Sequence, residues 1–418
     1  MQGLIEYNHI PVGQSTFKAG QTARVHKWFR LTPSFGPDLV RHMLTQLECK
    51  QGEFVLDPFS GASTTLIECK LAGQSAYGFE INPFLHWVGQ TSLEWNIEPE
   101  TLRSTLSEIE KKYKDDIKFI TFSNLEQCNL TIPKIHNPLR WWREDVITEL
   151  LVLKQCIANC STTKIIKDFF LLALAGTLIP DLTNVTLGRL QLHFIDRTND
   201  VINVIETFIR HAKTMIADLE KLHDYKHIGT HKVFNIDALM PSNELVHHPI
   251  SCVITSPPYP NRYSYVWNTR PYLYFFDYFN NAKQASELDL HTIGGTWGTA
   301  TSILNKGVLP PAFDFLQDII SPTIELIRAQ DNLMANYVMK YFNLLSKQIW
   351  AMEKLPQKRL RCAYVVGVSR VKNIYVETDV LLAKIFNKLG YASCHIERIR
   401  KRNSGKDLHE SIVYAYKN

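Results

Sequence analysis

Seven short apolar runs, rich in β-branched residues, recur along the chain, and helical patterns separate several of them. They are Glu53 to Leu56, Ser75 to Phe79, Lys232 to Ile236, Ser251 to Ile254, Ala363 to Val368, Ser393 to Arg398 and Ser411 to Tyr416. Several end in turn or polar residues, where an open α/β sheet presents its ligands. Thr64 to Leu71 reads as a helix after the first run, and Thr378 to Leu389, closed by Gly390, as one before the sixth. This alternation predicts an α/β fold with a doubly wound, mostly parallel, seven-stranded sheet.

Two stretches break the alternation. Pro99 to about His223 is mostly helical, with apolar residues at helical spacing in Asp145 to Ala158, Thr163 to Leu178 and Asp200 to Leu222. A second stretch, Asn280 to Arg328, carries Gly294, Gly295, Thr296, Trp297 and Gly298, then Pro310 and Pro311. Loops of that length in a folded domain usually serve a function. The expected division is 20–98, a helical insertion at 99–225, then 226–279, a variable insertion at 280–330, and 331–418.

With 45% hydrophobic and 21% charged residues over 418 positions, the chain is neither disordered nor fibrous in composition. Phe169 to Pro180 is too short to cross a bilayer, and Met1 to Gln14 lacks a basic segment followed by an apolar one. A cytoplasmic protein with no membrane association is expected. The eight cysteines include no CxxC pair, so no metal site is expected and buried thiols are. A net charge of +5 permits a polyanionic partner without demonstrating one.

Chemistry concentrates in two strings. Phe54 to Leu66 puts Asp57, Pro58, Phe59, Ser60, Gly61 and Thr64 where the first run meets a helix, a junction that exposes backbone N–H groups. Gly61 lets a ligand approach the main chain, Asp57 would sit beside a cationic amino group, and Glu80, followed by Ile81 and Asn82, would accept hydrogen bonds from ribose hydroxyls. A glycine turn with a downstream acid also suits nicotinamide and flavin enzymes.

The second string is Thr255-Ser-Pro-Pro-Tyr259. Consecutive prolines fix φ and remove two N–H donors, so the carbonyls of Ser256 and Pro257 can be held outward as acceptors. An exocyclic amino group on a base is a poor nucleophile, because its lone pair is delocalised into the ring. Fixed acceptors, including the Ser256 hydroxyl, favour pyramidal geometry and free that pair to attack a sulfonium methyl. Tyr259 offers a face on which a flipped base can stack. Alternatively Ser256, Pro257, Pro258 and Tyr259 form only a turn that ends a strand. Asn261, Arg262 and Tyr263 follow as candidates for base and phosphate contacts.

Together these strings resemble the amino-directed (cytosine N4 or adenine N6) DNA methyltransferases, in which Asp-Pro-Phe-Ser-Gly stands in place of GxGxxG. The matching segments run in order: Thr32 to Val40, Asp57 to Thr65, Tyr77 to Pro83, Asn235 to Leu239 and Thr255 to Tyr259. Ser63 stands where many members carry glycine. The resemblance implies a Rossmann-like methyltransferase sheet, S-adenosyl-L-methionine (AdoMet) as cofactor and double-stranded DNA as substrate. Thr32, Pro33 and Phe35 would pack on the methionine end, Asp237 and Ala238 near the adenine, and Thr255 at the edge of the cofactor site. A serine before Pro-Pro-Tyr is similar to the N4-cytosine members.

The resemblance also implies a place in a restriction-modification system, where a cognate restriction endonuclease would be a partner. Rival expectations are N6-adenine methylation, an RNA amino-group methyltransferase, and a non-catalytic nucleic-acid-binding protein. The chain has no Pro-Cys-Gln segment for attack on cytosine C5. Leu139 to Arg143, Tyr263 to Arg270 and Arg398 to Arg402 are basic enough to touch DNA, while Trp141 and Trp142 suit packing equally well.

Overall fold

Phe54–Asp57 and Ile250–Thr255 are buried at every position, and the two strands lie side by side within an eight-stranded sheet. The computed structural model describes residues 5–7, 18–32, 34–188, 191–222, 229–260, 263–295, 302, 304–401 and 408–417. In chain order the sheet strands are β1 (Ile5–Tyr7), β2 (Phe54–Asp57), β3 (Ser75–Phe79), β4 (His231–Phe234), β5 (Ile250–Thr255), β6 (Gln357–Gly367), β7 (Ser393–Lys401) and β8 (His409–Tyr416). Their spatial order is β1-β7-β8-β6-β5-β2-β3-β4. Strands from β6 to β4 run parallel, as do β1 and β7, whereas β8 runs antiparallel to both of its neighbours.

All seven expected runs are strands of this sheet, with ends shifted by a few residues. The edge strand β1 is an addition, because three residues cannot display a period. β2, β3 and β4 spread to one side and β5 and β6 to the other. The winding therefore reverses between β2 and β5, the place where open α/β sheets bind ligands.

Helices cover both faces, which is why the central strands read as unbroken apolar runs. Side chains alternate between two cores: Val55, Cys252 and Ile254 enter one, and Phe54, Leu56 and Val253 the other. Thr64–Leu71, Pro83–Ser92 and the helices of the expected insertion build the first layer. Asn82 starts Pro83–Ser92 by accepting from the Phe84 and Leu85 N–H groups, with Pro83 in the first turn. Asp314–Arg328, Asn332–Ala351 and Thr378–Lys388 build the second.

Within the first layer, Pro99–Asp116, Glu144–Ala158, Lys164–Leu178 and Val204–Leu222 pack on one another. Buried Asp218 ties this block to the segment that leads into Leu31. It accepts from the Val25 N–H (3.1 Å), Trp28 Nε1 (3.0 Å) and Lys27 Nζ (2.8 Å). Trp141 and Trp142 are buried inside the block.

In the 280–330 stretch, Asp314–Arg328 buries Leu316, Ile320, Ile324 and Ile327 in the second core. Thr296, Trp297 and Gly298 lie outside the described residues. All eight cysteines are free. Among the described residues no helix is long and apolar enough to cross a membrane, and no cluster of His, Cys, Asp or Glu could hold a metal ion.

Candidate active site

Where β2 ends, Pro58, Phe59, Ser60 and Gly61 turn the chain into Thr64–Leu71 along the wall of a cavity of about 460 Å³. Gly61 has φ +51°, and a Cβ there would press on Leu31 Cδ2 at 3.0 Å. Ser63 also sits in the left-handed region at φ 65°, which gives the glycine of related sequences a physical reason. Its hydroxyl points away from the cavity into the space left by Gly89, where a Cβ would stand 2.2 Å from Ser63 Oγ. The departure at Ser63 therefore leaves the cavity wall open. Among the described residues the buried Ser60 and Ser63 hydroxyls have no hydrogen-bond partner; Ser60 lines the cavity, with its Oγ close to the space left by Gly78.

Glu80 follows β3 and is partly open to the cavity. One carboxylate oxygen accepts from the Gly61 N–H and the other from the Asn82 N–H, both at 2.8 Å. Burial pushes its pKa up to about 7 against those two donors, and the Asp57 charge adds to the rise. Ile81, Asn82, Asp237 and Ala238 line the same wall. Asp237 accepts from the Leu239 N–H at 2.9 Å, and Asn235 Nδ2 donates to the Glu80 carbonyl at 2.8 Å. The tips of β3 and β4 are thus fastened together.

The two strings meet at the reversal of winding. Thr255 Oγ1 donates to Asp57 Oδ1 at 2.6 Å, joining the tips of β5 and β2. Both residues are buried, and neither lines the cavity. Burial pushes the Asp57 carboxyl up to about 6, against hydrogen bonds from Thr255, Thr65 and the Phe59 N–H. Asp57 thus sits beneath the turn, one layer below the position beside a ligand expected from sequence.

Beyond Thr255, Ser256, Pro258 and Tyr259 line the cavity while Pro257 is packed inside. Ser256 Oγ lies 3.4 Å from the Val365 carbonyl. Tyr263 lines the cavity, is buried, and donates its hydroxyl to the Thr32 carbonyl, so the segment before helix Pro37–Gln46 is pinned to the chain that follows β5. Phe35 and Thr64 also line the cavity, whereas Thr32 does not. Pro33, Asn261 and Arg262 lie outside the described residues.

A third wall draws on the 280–330 insertion and the Arg398 to Arg402 run, together with Ser369, Arg370 and Glu410, which the sequence reading did not single out. His291, Thr292 and Ile293 close one side, and Ser369, Arg370, Arg400 and Glu410 another. Half-buried Lys340 donates to the carbonyls of Leu290 (3.3 Å) and Gly295 (3.1 Å), while Ser264 Oγ donates to Asp289 at 2.6 Å, so both ends of the 289–295 turn are held. The basic run at Arg398 is partly spent inward, with Arg398 paired to Asp379 and Arg400 to Glu410. The spacing of the Arg400–Glu410 pair across adjacent runs was its only sequence signal.

Residues 15–88 match a family model described as DNA methylase, of the N6/N4 type. That stretch contains Phe35, Asp57 to Gly61 and Glu80 and stops before Ser256. The chain is similar to the type II methyltransferase M.MvaI of Kocuria varians, 24% identical over 82% of this chain and 76% of that one. It is also similar to M.BsoBI of Geobacillus stearothermophilus, 22% identical over 96% of this chain and 87% of that one. M.AvaI of Nostoc sp. is 37% identical over a shorter stretch, 19% of this chain and 16% of that one. With two strings at adjoining strand tips and one cavity beside them, the chain carries an N6/N4-type DNA methylase segment at residues 15–88 and is similar along most of its length to type II methyltransferases.

Proposed function

We propose that this protein transfers the methyl group of AdoMet to the exocyclic N4 of cytosine in double-stranded DNA, within a restriction-modification system that includes a cognate restriction endonuclease. The observation that carries the reading is the 2.6 Å hydrogen bond from Thr255 to Asp57, which brings cofactor and acceptor strings to one cavity. The serine at 256, before Pro-Pro-Tyr, supports cytosine N4 over adenine N6.

The residues present fit the cofactor. The Gly61 main chain, with no Cβ and φ +51°, leaves room for its backbone, and Glu80 offers further lone pairs for the ribose hydroxyls. Ile81, Asp237 and Ala238 would flank the adenine, and Phe35 the methionine end. When bound, AdoMet supplies an electrophilic methyl carbon on a sulfonium.

On the opposite wall, the Ser256 carbonyl and hydroxyl would accept from the target amine, and Tyr259 would support the base plane. The methyl carbon that AdoMet would supply would pass to the amine nitrogen held by these acceptors, leaving the thioether as product, and the proton displaced from that nitrogen would leave to water. Asp57 holds the two strand tips in register and takes no proton in this scheme.

Glu80 gives the reading a pH signature. Its carboxyl is raised from an ordinary 4.5 to about 7, so the folded chain holds a proton that the unfolded chain has released over that window. Folding stability therefore falls as pH rises through it. Hydroxyl donors favour the ionised form, so cofactor binding releases a proton below pH 7. Calorimetry with S-adenosylhomocysteine at pH 6.5, in two buffers of different ionisation heat, should register the release, and Glu80→Gln should abolish it. An unchanged release in Glu80→Gln assigns the proton elsewhere.

The proposal is tested by expression in a methylation-deficient bacterium, followed by mass spectrometry of the nucleosides from its DNA. N4-methylcytosine is the expected product. N6-methyladenine would overturn the choice of base, and methylation of RNA alone would overturn the choice of nucleic acid.

A further inference from the structure

β7 and β8 close the end of the cavity beyond Tyr259. Arg398 pairs with Ser411 and Arg400 with Glu410, so Ile399 is one residue too many and the strand bulges. Bulges re-aim side chains next to functional sites. Here Ile399 enters the core, while Arg400 and Glu410 both line the cavity. Glu410 is only 7% exposed, and its two oxygens have different partners. Tyr259 Oη donates to Oε1 at 2.7 Å, and Arg400 Nε donates to Oε2. A buried carboxylate without a cation would be costly and would repel a polyanion, and Arg400 offsets both effects.

We propose that Glu410, braced by Arg400, is a positioning residue that sets the plane of the Tyr259 ring against the target base. This rests on the reading above, in which Tyr259 supports that base. The prolines at 257, 258 and 260 fix the backbone end of Tyr259, but its ring can still turn about two side-chain torsions. A hydrogen bond at the far tip of the ring removes that freedom. Ring tilt sets the tilt of whatever stacks on it, and a tilted base moves its amino nitrogen off the line of attack. Glu410 acts through Tyr259 and touches no reacting atom.

The test measures single-turnover methyl transfer, KM for duplex DNA and S-adenosylhomocysteine affinity in wild type, Tyr259→Phe, Glu410→Ala and the double variant. Each single change should slow transfer by about tenfold, the cost of a charge-assisted hydrogen bond, with cofactor affinity within about twofold. The double variant should be no slower than the slower single, because both remove one interaction. Glu410→Gln keeps an acceptor and the side-chain shape and should recover most of the rate; if the alanine variant fails to fold, Tyr259→Phe, which removes the same hydrogen bond, carries the test.

An active wild type whose Glu410→Ala and Tyr259→Phe variants both transfer normally overturns this inference alone. Effects that multiply in the double variant, or a matching loss of cofactor affinity, also overturn it. A wild type that methylates no DNA removes the reading of the site and this inference with it.

Discussion

Replacing Tyr259 by alanine should slow methyl transfer to duplex DNA by about a hundredfold while cofactor affinity stays within about twofold. Stacking of a base on an aromatic ring contributes about 1–3 kcal/mol, whose upper end corresponds to roughly a hundredfold. The upper end applies because the ring is held at both ends, by the proline-rich turn and by Glu410. Tyr259 follows β5 and Glu80 follows β3, with β2 between them in the sheet, so the loss of Tyr259 should spare the cofactor. Single-turnover transfer of a labelled methyl group, paired with calorimetric titration of S-adenosylhomocysteine, checks both halves of the statement. A parallel fall in cofactor affinity would move Tyr259 to the cofactor wall and reverse the division of labour.

Glu80→Ala should do the opposite, weakening cofactor affinity by about a hundredfold and leaving transfer recoverable at saturating AdoMet. A hydrogen bond to a charged acceptor is worth about 1.5–3 kcal/mol, so losing one or two such bonds to the ribose accounts for that factor. The same change deprives the Gly61 and Asn82 N–H groups of their acceptor, which loosens the turn the cofactor rests on. Titration of S-adenosylhomocysteine and a rate curve against AdoMet concentration measure the two effects. A rate that stays low at saturation would place Glu80 in the transfer step itself.

Much of this site was legible in the sequence because its two strings sit on consecutive residues at strand ends. Fold class followed from short apolar runs alternating with helical patterns along the chain. Glu80 was readable because it directly follows β3. Asp57 was found as a residue but not as a position: nothing local distinguishes a carboxylate facing a ligand from one turned under toward Thr255, 198 residues away.

Glu410 and Arg400 had little local signature, since their placement depends on a bulge at Ile399 and on pairing between β7 and β8. The basic run at Arg398 read as a phosphate-binding surface because charge is visible in sequence and its partners are not. Ser63 departs from the glycine of the resembling family, and the space for its hydroxyl comes from Gly89 on the next helix, which no local pattern around Ser63 announces.

The account stands on one cavity serving donor and acceptor together. The direct measurement is a crystal structure of the protein with S-adenosylhomocysteine and a duplex bearing its target. The sulfur should face Ser256–Tyr259, the ribose hydroxyls should bond Glu80, and the extruded base should lie on the Tyr259 ring. A nucleoside bound away from Glu80, or a target base that does not approach Ser256–Tyr259, would contradict it.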